Sequence, residues 1–421
     1  MEPAQLELFK VDSSSFSAGK ESRLVAELEA YDAFGEATRI DHPMGIGFEH
    51  IPVFTNEFWT SKQRAAHSLH EISYRACFKP QLPKFFIERL TDIGDLVYDP
   101  FMGRGTTLLE ATILKRYATG CDVNPLSALL LYPRLNPPTL KEIEDRLDVI
   151  EYAYESEFPD DFTVFYHPDT LRQICGLRKY LIEKNDEVDN VDAWIRMVAT
   201  NRLTGHSKGF FSVYTLPPNQ AVTIERQKII NARRLQEPDF RNVPELILKK
   251  SRSLLSKLKD DELQAIRGYG DSTVLLTQSC ENTSEIESNS VSLVVTSPPF
   301  LDVVDYATDN WLRCWFNGIE GREIPIWSFR KVEDWQDHMT LVFKELKRVL
   351  KPNGYVAFEV GEVRNGRVRL EESVIPAAED AGLRPVLILI NSQEFTKTSN
   401  CWGVDNSSKG TNTNRVVLLK N

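Results

Sequence analysis

Seven short apolar runs set the strongest limit on how this 421-residue chain can fold: DLVYDPF (95–101), YATGCDV (117–123), TVLLT (273–277), VSLVVT (291–296), YVAFEVGEV (355–363), RPVLILI (384–390) and NRVVLLK (414–420). Runs such as VSLVVT do not alternate apolar with polar residues, so both faces of those strands must be covered, as in a mainly parallel sheet. Between several runs the period changes to that of a helix. TTLLEATILKR follows the first, NPLSALLL follows the second with Pro125 suited to a first helical turn, and WQDHMTLVFKELKRVL precedes the fifth and stops at KPNG. Strands alternating with helices predict a doubly wound α/β fold with a mostly parallel, seven-stranded sheet.

The alternation is interrupted once. Residues 139–267 read as helices and loops, so they are expected to form a mainly helical domain inserted into a sheet domain made of 61–138 and 268–421. Residues 1–60 show weak periodicity and are expected to lie against that domain as an N-terminal extension. No run of eighteen apolar residues is present, so no membrane-spanning helix is expected. The start, MEPAQLELFKVDSSSFS, lacks the basic and apolar regions of a secretory signal. The six cysteines contain no CxxC pair, which suits a reducing cytosol. His67 and His70 stand three apart without a nearby third ligand, so no metal site is expected.

Charge is uneven. The chain carries a net −11, yet residues 195–259 hold thirteen Lys and Arg against four acids, a local +9. Salt at about 0.1 M confines fields to roughly 10 Å, so such a segment can hold a polyanion on an otherwise acidic protein. Within it, Lys208 sits in a glycine-framed loop ahead of Phe210, Phe211 and Tyr214. Arg226 and Arg233, seven apart, fall on one face of the helix that follows, with Arg234 beside them. Basic groups interleaved with aromatics suit phosphate anchoring with base contact or wedge insertion. The same aromatics also suit the core of a helical domain.

DPFMGRGTT (99–107) reads as strand, tight turn and helix start. Gly103 and Gly105 let backbone approach a ligand closely, and Thr106 or Thr107 can cap a helix whose first N–H groups attract an anion. About twenty residues on, Asp122 ends the second strand, where a carboxylate grips ribose hydroxyls. The turn is neither GxGxxG nor a phosphate-binding GxxxxGK[ST]. A cofactor with an amine, a carboxylate and an adenosine fits it, with Asp99 placed to neutralise the amine; S-adenosylmethionine has these groups.

DPFMGRGTT, GCDVNP and VVTSPPF together resemble the motifs of DNA amino-methyltransferases, whose cofactor motif reads DPFxGxGTT and whose catalytic motif reads [S/D/N]PP[Y/F/W]. The resemblance takes in HSLHEISYRACFKPQLP (67–83), like the family's cofactor-flanking segment, and LKRVLKPNGYVAFEVGE (346–362). It covers most of 67–135 and 271–421. It implies a Rossmann-like methyltransferase sheet with S-adenosylmethionine held by Tyr74, Phe78, Asp99, Phe101, Gly103, Gly105, Thr106 and Asp122. It further implies double-stranded DNA as partner, a cognate restriction nuclease where the system is one of restriction and modification, and a cytoplasmic, nucleoid-associated enzyme of prokaryote or phage.

The same resemblance explains why a buried strand ends in Pro298 and Pro299. The stiff corner would hold the exocyclic amino group of a flipped base, with the Ser297 hydroxyl and the Pro298 carbonyl accepting its hydrogens and Phe300 stacking on the ring. Serine in first place resembles the cytosine-N4 branch; aspartate or asparagine is commoner in the adenine-N6 one. Gln278 and Ser279 stand where the family often has Gly-Asp, so the contact to the cofactor's adenine is unassigned. An adenine-N6 enzyme, an RNA amino-methyltransferase and a catalytically silent DNA-binding relative are the alternatives.

Overall fold

The structure is a computed structural model that describes residues 19–42, 48, 50–60, 66–74, 77–153, 159–184, 187–215, 221–301, 306–363, 368–392 and 413–421. The stretch before Gly19, LPPNQ (216–220) and Cys401 lie outside the described residues. The strands are β1 (Arg39–Asp41), β2 (Val53–Asn56), β3 (Leu96–Asp99), β4 (Tyr117–Cys121), β5 (Val274–Leu276), β6 (Val291–Thr296), β7 (Leu350–Val360), β8 (Glu362–Val363), β9 (Val368–Arg369), β10 (Arg384–Ser392) and β11 (Thr413–Lys420). One sheet has the order β1-β2-β10-β11-β7-β6-β3-β4-β5, and β8 pairs separately with β9.

All seven apolar runs are strands of this sheet. From β7 to β5 every pairing is parallel, and β11 runs antiparallel between β7 and β10. Two further strands extend the sheet. β2 pairs parallel with β10, aligning Val53 with Ile388, and β1 pairs antiparallel with β2. They come from the N-terminal extension, where β1 is exposed at all three positions and so carries no apolar pattern.

Thirteen helices are described: α1 (Lys20–Glu29), α2 (Gln81–Leu90), α3 (Thr106–Ile113), α4 (Pro125–Leu135), α5 (Leu140–Val149), α6 (Pro168–Lys184), α7 (Asn190–Arg202), α8 (Ile224–Arg234), α9 (Val243–Leu255), α10 (Asp260–Gly270), α11 (Tyr306–Asn317), α12 (Val332–Val349) and α13 (Glu371–Asp380). Alternate strand residues feed two apolar layers. Val97, Leu293 and Leu387 face α2, α3, α4 and the helices of 139–267, whereas Tyr98, Val294 and Phe358 face α12 and α13. Trp194, Met197 and Phe211 of the inserted stretch are buried in the same cluster as Leu108 and Leu130, so its core is continuous with the sheet's helical layer.

KPNG acts differently from a simple stop. α12 ends at Val349 and the strand begins at once, with Leu350 opposite Val291. Asn353, at φ +63, then turns the backbone so that Tyr355 falls opposite Leu293. Among the described residues no helix is long and apolar enough to cross a membrane, and no group of three His, Cys, Asp or Glu could hold a metal ion.

Candidate active site

The carboxyl ends of β3, β4 and β6 lie side by side, which brings together groups far apart in sequence. After β3 the chain turns through Met102, whose N–H donates to the Cys121 carbonyl at 3.0 Å, and through Gly103 and Gly105, both at positive φ. Asp99 is 1% exposed. Its Oδ1 accepts from Thr296 Oγ1 at 2.6 Å and from the Phe101 N–H at 3.1 Å. Burial pushes its carboxyl up to about 7, against the pull of those hydrogen bonds. Asp122 accepts from the Gly103 N–H at 2.9 Å and the Asn124 N–H at 2.8 Å, and burial raises its carboxyl too. Two carboxyls therefore sit side by side with neutral donors and no described ion pair.

They face a half-open cleft. Tyr74, Phe78, Asp99, Phe101, Gly103, Thr106 and Asp122 line it, together with Ser297 and Pro299. Cys77, Asn124, Gln278, Cys280, Ile326 and Trp327 line it as well. Three expected site residues flank the cleft without being among its lining side chains. Gly105 forms the N-cap of α3 at φ +75 and faces Leu131, whose side chain would lie 2.6 Å from an added Cβ, so its role is packing. Pro298 is buried, and Phe300 is half-buried, packed against the α12 side of the core as Phe101 and Trp327 are.

The proline corner is held from outside its own motif. Trp335 of α12, fully buried, donates its indole N–H to the Pro299 carbonyl at 2.9 Å. The Ser297 side chain lies close enough to the carboxyl of Glu359 on β7 to favour its ionised form, and Glu359 accepts from Asn414 Nδ2 at 3.0 Å. Burial raises the Glu359 carboxyl. Sequence reasoning missed Glu359, although an acid inside the apolar run YVAFEV marks a buried charge. It also missed Trp327, whose ring meets Phe101 edge-on at 5.9 Å. Gln278 lines the cleft, with its amide nitrogen donating to Glu285 and to the Asn282 carbonyl.

Residues 45–128, which include Tyr74, the glycine turn and Asp122, match the model of a family described as DNA methylase (N6_N4_Mtase). The match takes in 84 of the 421 residues, about a fifth of the chain. The chain is 25% identical over 264 residues to the Type II methyltransferase M.MvaI of Kocuria varians, covering 58% of this chain and 55% of that one. It is 21% identical over 312 residues to the Type II methyltransferase M.BsoBI of Geobacillus stearothermophilus, covering 66% and 58%. A stretch of 86 residues is 33% identical to the Type II methyltransferase M.MjaII of Methanocaldococcus jannaschii, covering 20% of this chain and 16% of that one. The chain thus spans a little over half the length of the first two relatives.

The basic segment divides in two. Arg196 and Arg202 are turned inward, one onto Asn317 and the other over the Phe210 ring at 4.0 Å; Phe210 and Phe211 are core residues. Lys208, Arg226, Arg233 and Arg234 are exposed. Arg226 and Arg233 share a face of α8, whereas Arg234 lies 3.7 Å over the Tyr214 ring. The chain entering α8 is fixed to α11, the helix after the proline corner, by Ala221 N–H to the Asp309 carbonyl at 3.1 Å and Trp311 Nε1 to the Val222 carbonyl at 3.3 Å.

Proposed function

We propose that this chain methylates duplex DNA, transferring a methyl group from S-adenosylmethionine to the N4 amino group of a cytosine turned out of the helix. The observation that carries the reading is the meeting of the Ser297–Pro299 corner with Asp99, Gly103 and Asp122 in one cleft. The donor set fits the cofactor. Asp99 is a buried carboxyl that lacks a cation, which suits an ammonium. Asp122 holds one backbone N–H on each oxygen and keeps lone pairs for a pair of hydroxyls. When bound, the cofactor supplies an electrophilic methyl group on sulfur.

The chain's own part is to position one amino group and remove one proton. With its proton directed at Glu359, the Ser297 hydroxyl turns its lone pairs to an amino N–H, and the Pro298 carbonyl is the second acceptor. Once the amino nitrogen has bonded to carbon it must shed a proton. The path runs through Ser297 to Glu359, whose buried carboxyl has a raised affinity for it. The aromatic surfaces that line the cleft for adenine and base are Tyr74, Phe78, Phe101 and Trp327. Serine rather than an acid or amide before the prolines favours cytosine. DNA from a host expressing the chain, digested to nucleosides and analysed by mass spectrometry, should contain N4-methylcytosine. N6-methyladenine would overturn the base, and unmodified DNA the activity.

Cofactor binding should depend on pH through Asp99. Its folded-state carboxyl titrates near 7, above its unfolded value, so the neutral form is the stable one and ionisation costs folding stability as pH rises from about 4 to about 7. An ammonium recovers that cost only by meeting the ionised form. Calorimetric titration should therefore show S-adenosylmethionine binding tighter by up to about tenfold per unit between about pH 5.5 and 7. Asp99→Asn should bind weakly at every pH; an unchanged slope in that variant would place the ammonium elsewhere.

Arg226→Glu with Arg233→Glu should weaken duplex binding and flatten its salt dependence by about two counterions. Fluorescence anisotropy across a salt series reads both, and an unaltered slope would move the DNA cleft away from α8.

A further inference from the structure

Leu235 is 94% exposed, directly after the last turn of α8. It also takes φ +49 and ψ 48, a left-handed conformation in which a side chain is strained and where helices ordinarily place glycine. A leucine there gains nothing in the free protein from burial or from its backbone. Nor is it a loose end. Its N–H closes the helix on the Ala232 carbonyl at 3.3 Å, and the Gln236 N–H returns to Asn231 at 3.1 Å. Gln227 and Gln236 both donate to the Tyr214 carbonyl, at 3.1 and 2.9 Å, and both to Asn231 Oδ1. Asn231 in turn donates to the Val164 carbonyl at 2.7 Å. The backbone around Leu235 is thus pinned while its side chain projects into solvent.

Cations lie on the α8 side of the projection, and Glu237 follows it. Arg233 and Arg234 precede it, Arg234 braced over Tyr214, and the exposed face of α8 carries Arg226 and Lys228 around Ile229, 44% exposed. Against these four cations α8 holds one acid, Glu225, in a chain of net charge −11. An exposed apolar side chain on a pinned backbone at the end of a basic helix matches a wedge that enters a base stack while the helix cations hold the flanking phosphates.

We infer that Leu235 is such a wedge: it inserts between base pairs of the duplex bound along α8, opening the stack. The inference rests on duplex DNA being the substrate. Insertion unwinds DNA, so the test uses a closed-circular plasmid relaxed by a topoisomerase with the full chain bound, and in parallel a short mixed-sequence duplex for affinity and salt slope. The wild type should leave the plasmid underwound after protein removal. Leu235→Gly, which also relieves the backbone, should keep the melting temperature or raise it and keep the salt slope. Its duplex affinity should fall roughly threefold to tenfold, with plasmid unwinding lost. Leu235→Met, long and apolar, should retain the unwinding. Unwinding by Leu235→Gly equal to the wild type's, or a wild type that binds without unwinding, overturns the wedge and leaves DNA as substrate. A wild type that binds no duplex overturns both. A dimer that becomes monomeric in Leu235→Gly by sedimentation would assign the side chain to a second copy of the chain, and overturn the wedge.

Discussion

Ser297→Ala should lower turnover by about a hundred- to a thousandfold, the worth of one positioned hydrogen-bonding group at a reacting centre. Affinity for cofactor and DNA should stay within about threefold of the original, because Asp99, Asp122 and the α8 face are untouched. Single-turnover kinetics separates the two quantities, and full activity in the variant would remove Ser297 from the chemistry. Glu359→Gln adds a sharper test. If Glu359 only braces the hydroxyl, the amide can accept the same hydrogen bond and turnover should change little. If it receives the proton, the rate should drop about tenfold or more and lose its acidic limb in the pH profile.

Gly105→Val should fail in folding rather than in binding. The residue is left-handed at φ +75, and an added Cβ would press on the fully buried Leu131. A branched side chain in that conformation costs about 1–2 kcal/mol or more, and overpacking a further 1–3. The urea midpoint should fall accordingly. Leu131→Ala in the same chain should ease the packing part and leave the backbone part. Protein that remains folded should bind S-adenosylmethionine almost as before, since Gly105 does not line the cleft. Lost cofactor binding at an unchanged urea midpoint would return Gly105 to the site.

What could be read from sequence was whatever is local. β3, the glycine turn and Asp122 lie within two dozen residues, and their order alone places two carboxyls at neighbouring strand ends. The proline corner was legible for the same reason. Trp335, Glu359 and Asn414 were not, because each reaches the corner from another strand or helix, and periodicity does not say which side chain of a buried element meets which loop. β1 was missed because an exposed three-residue edge strand has no pattern to read, and β2 because four residues are too few to show one.

The order of strands in the sheet has a consequence for how the protein comes into being. β6, β7, β10 and β11 lie together in the last third of the chain and pair mostly among themselves, whereas Thr296 meets Asp99 across 197 residues and Thr119 meets Val274 across 155. Closing long loops is the slow part of assembling such a sheet. The C-terminal strands are therefore expected to pair first, with β3 and β4 docking onto them afterwards. A ribosome delivers these pieces in the reverse order. The glycine turn emerges early and waits, its apolar strands uncovered, until residues near 300 arrive to complete the cleft. Amides of β3 and β4 should accordingly gain protection from hydrogen exchange later during refolding than those of β7 and β11.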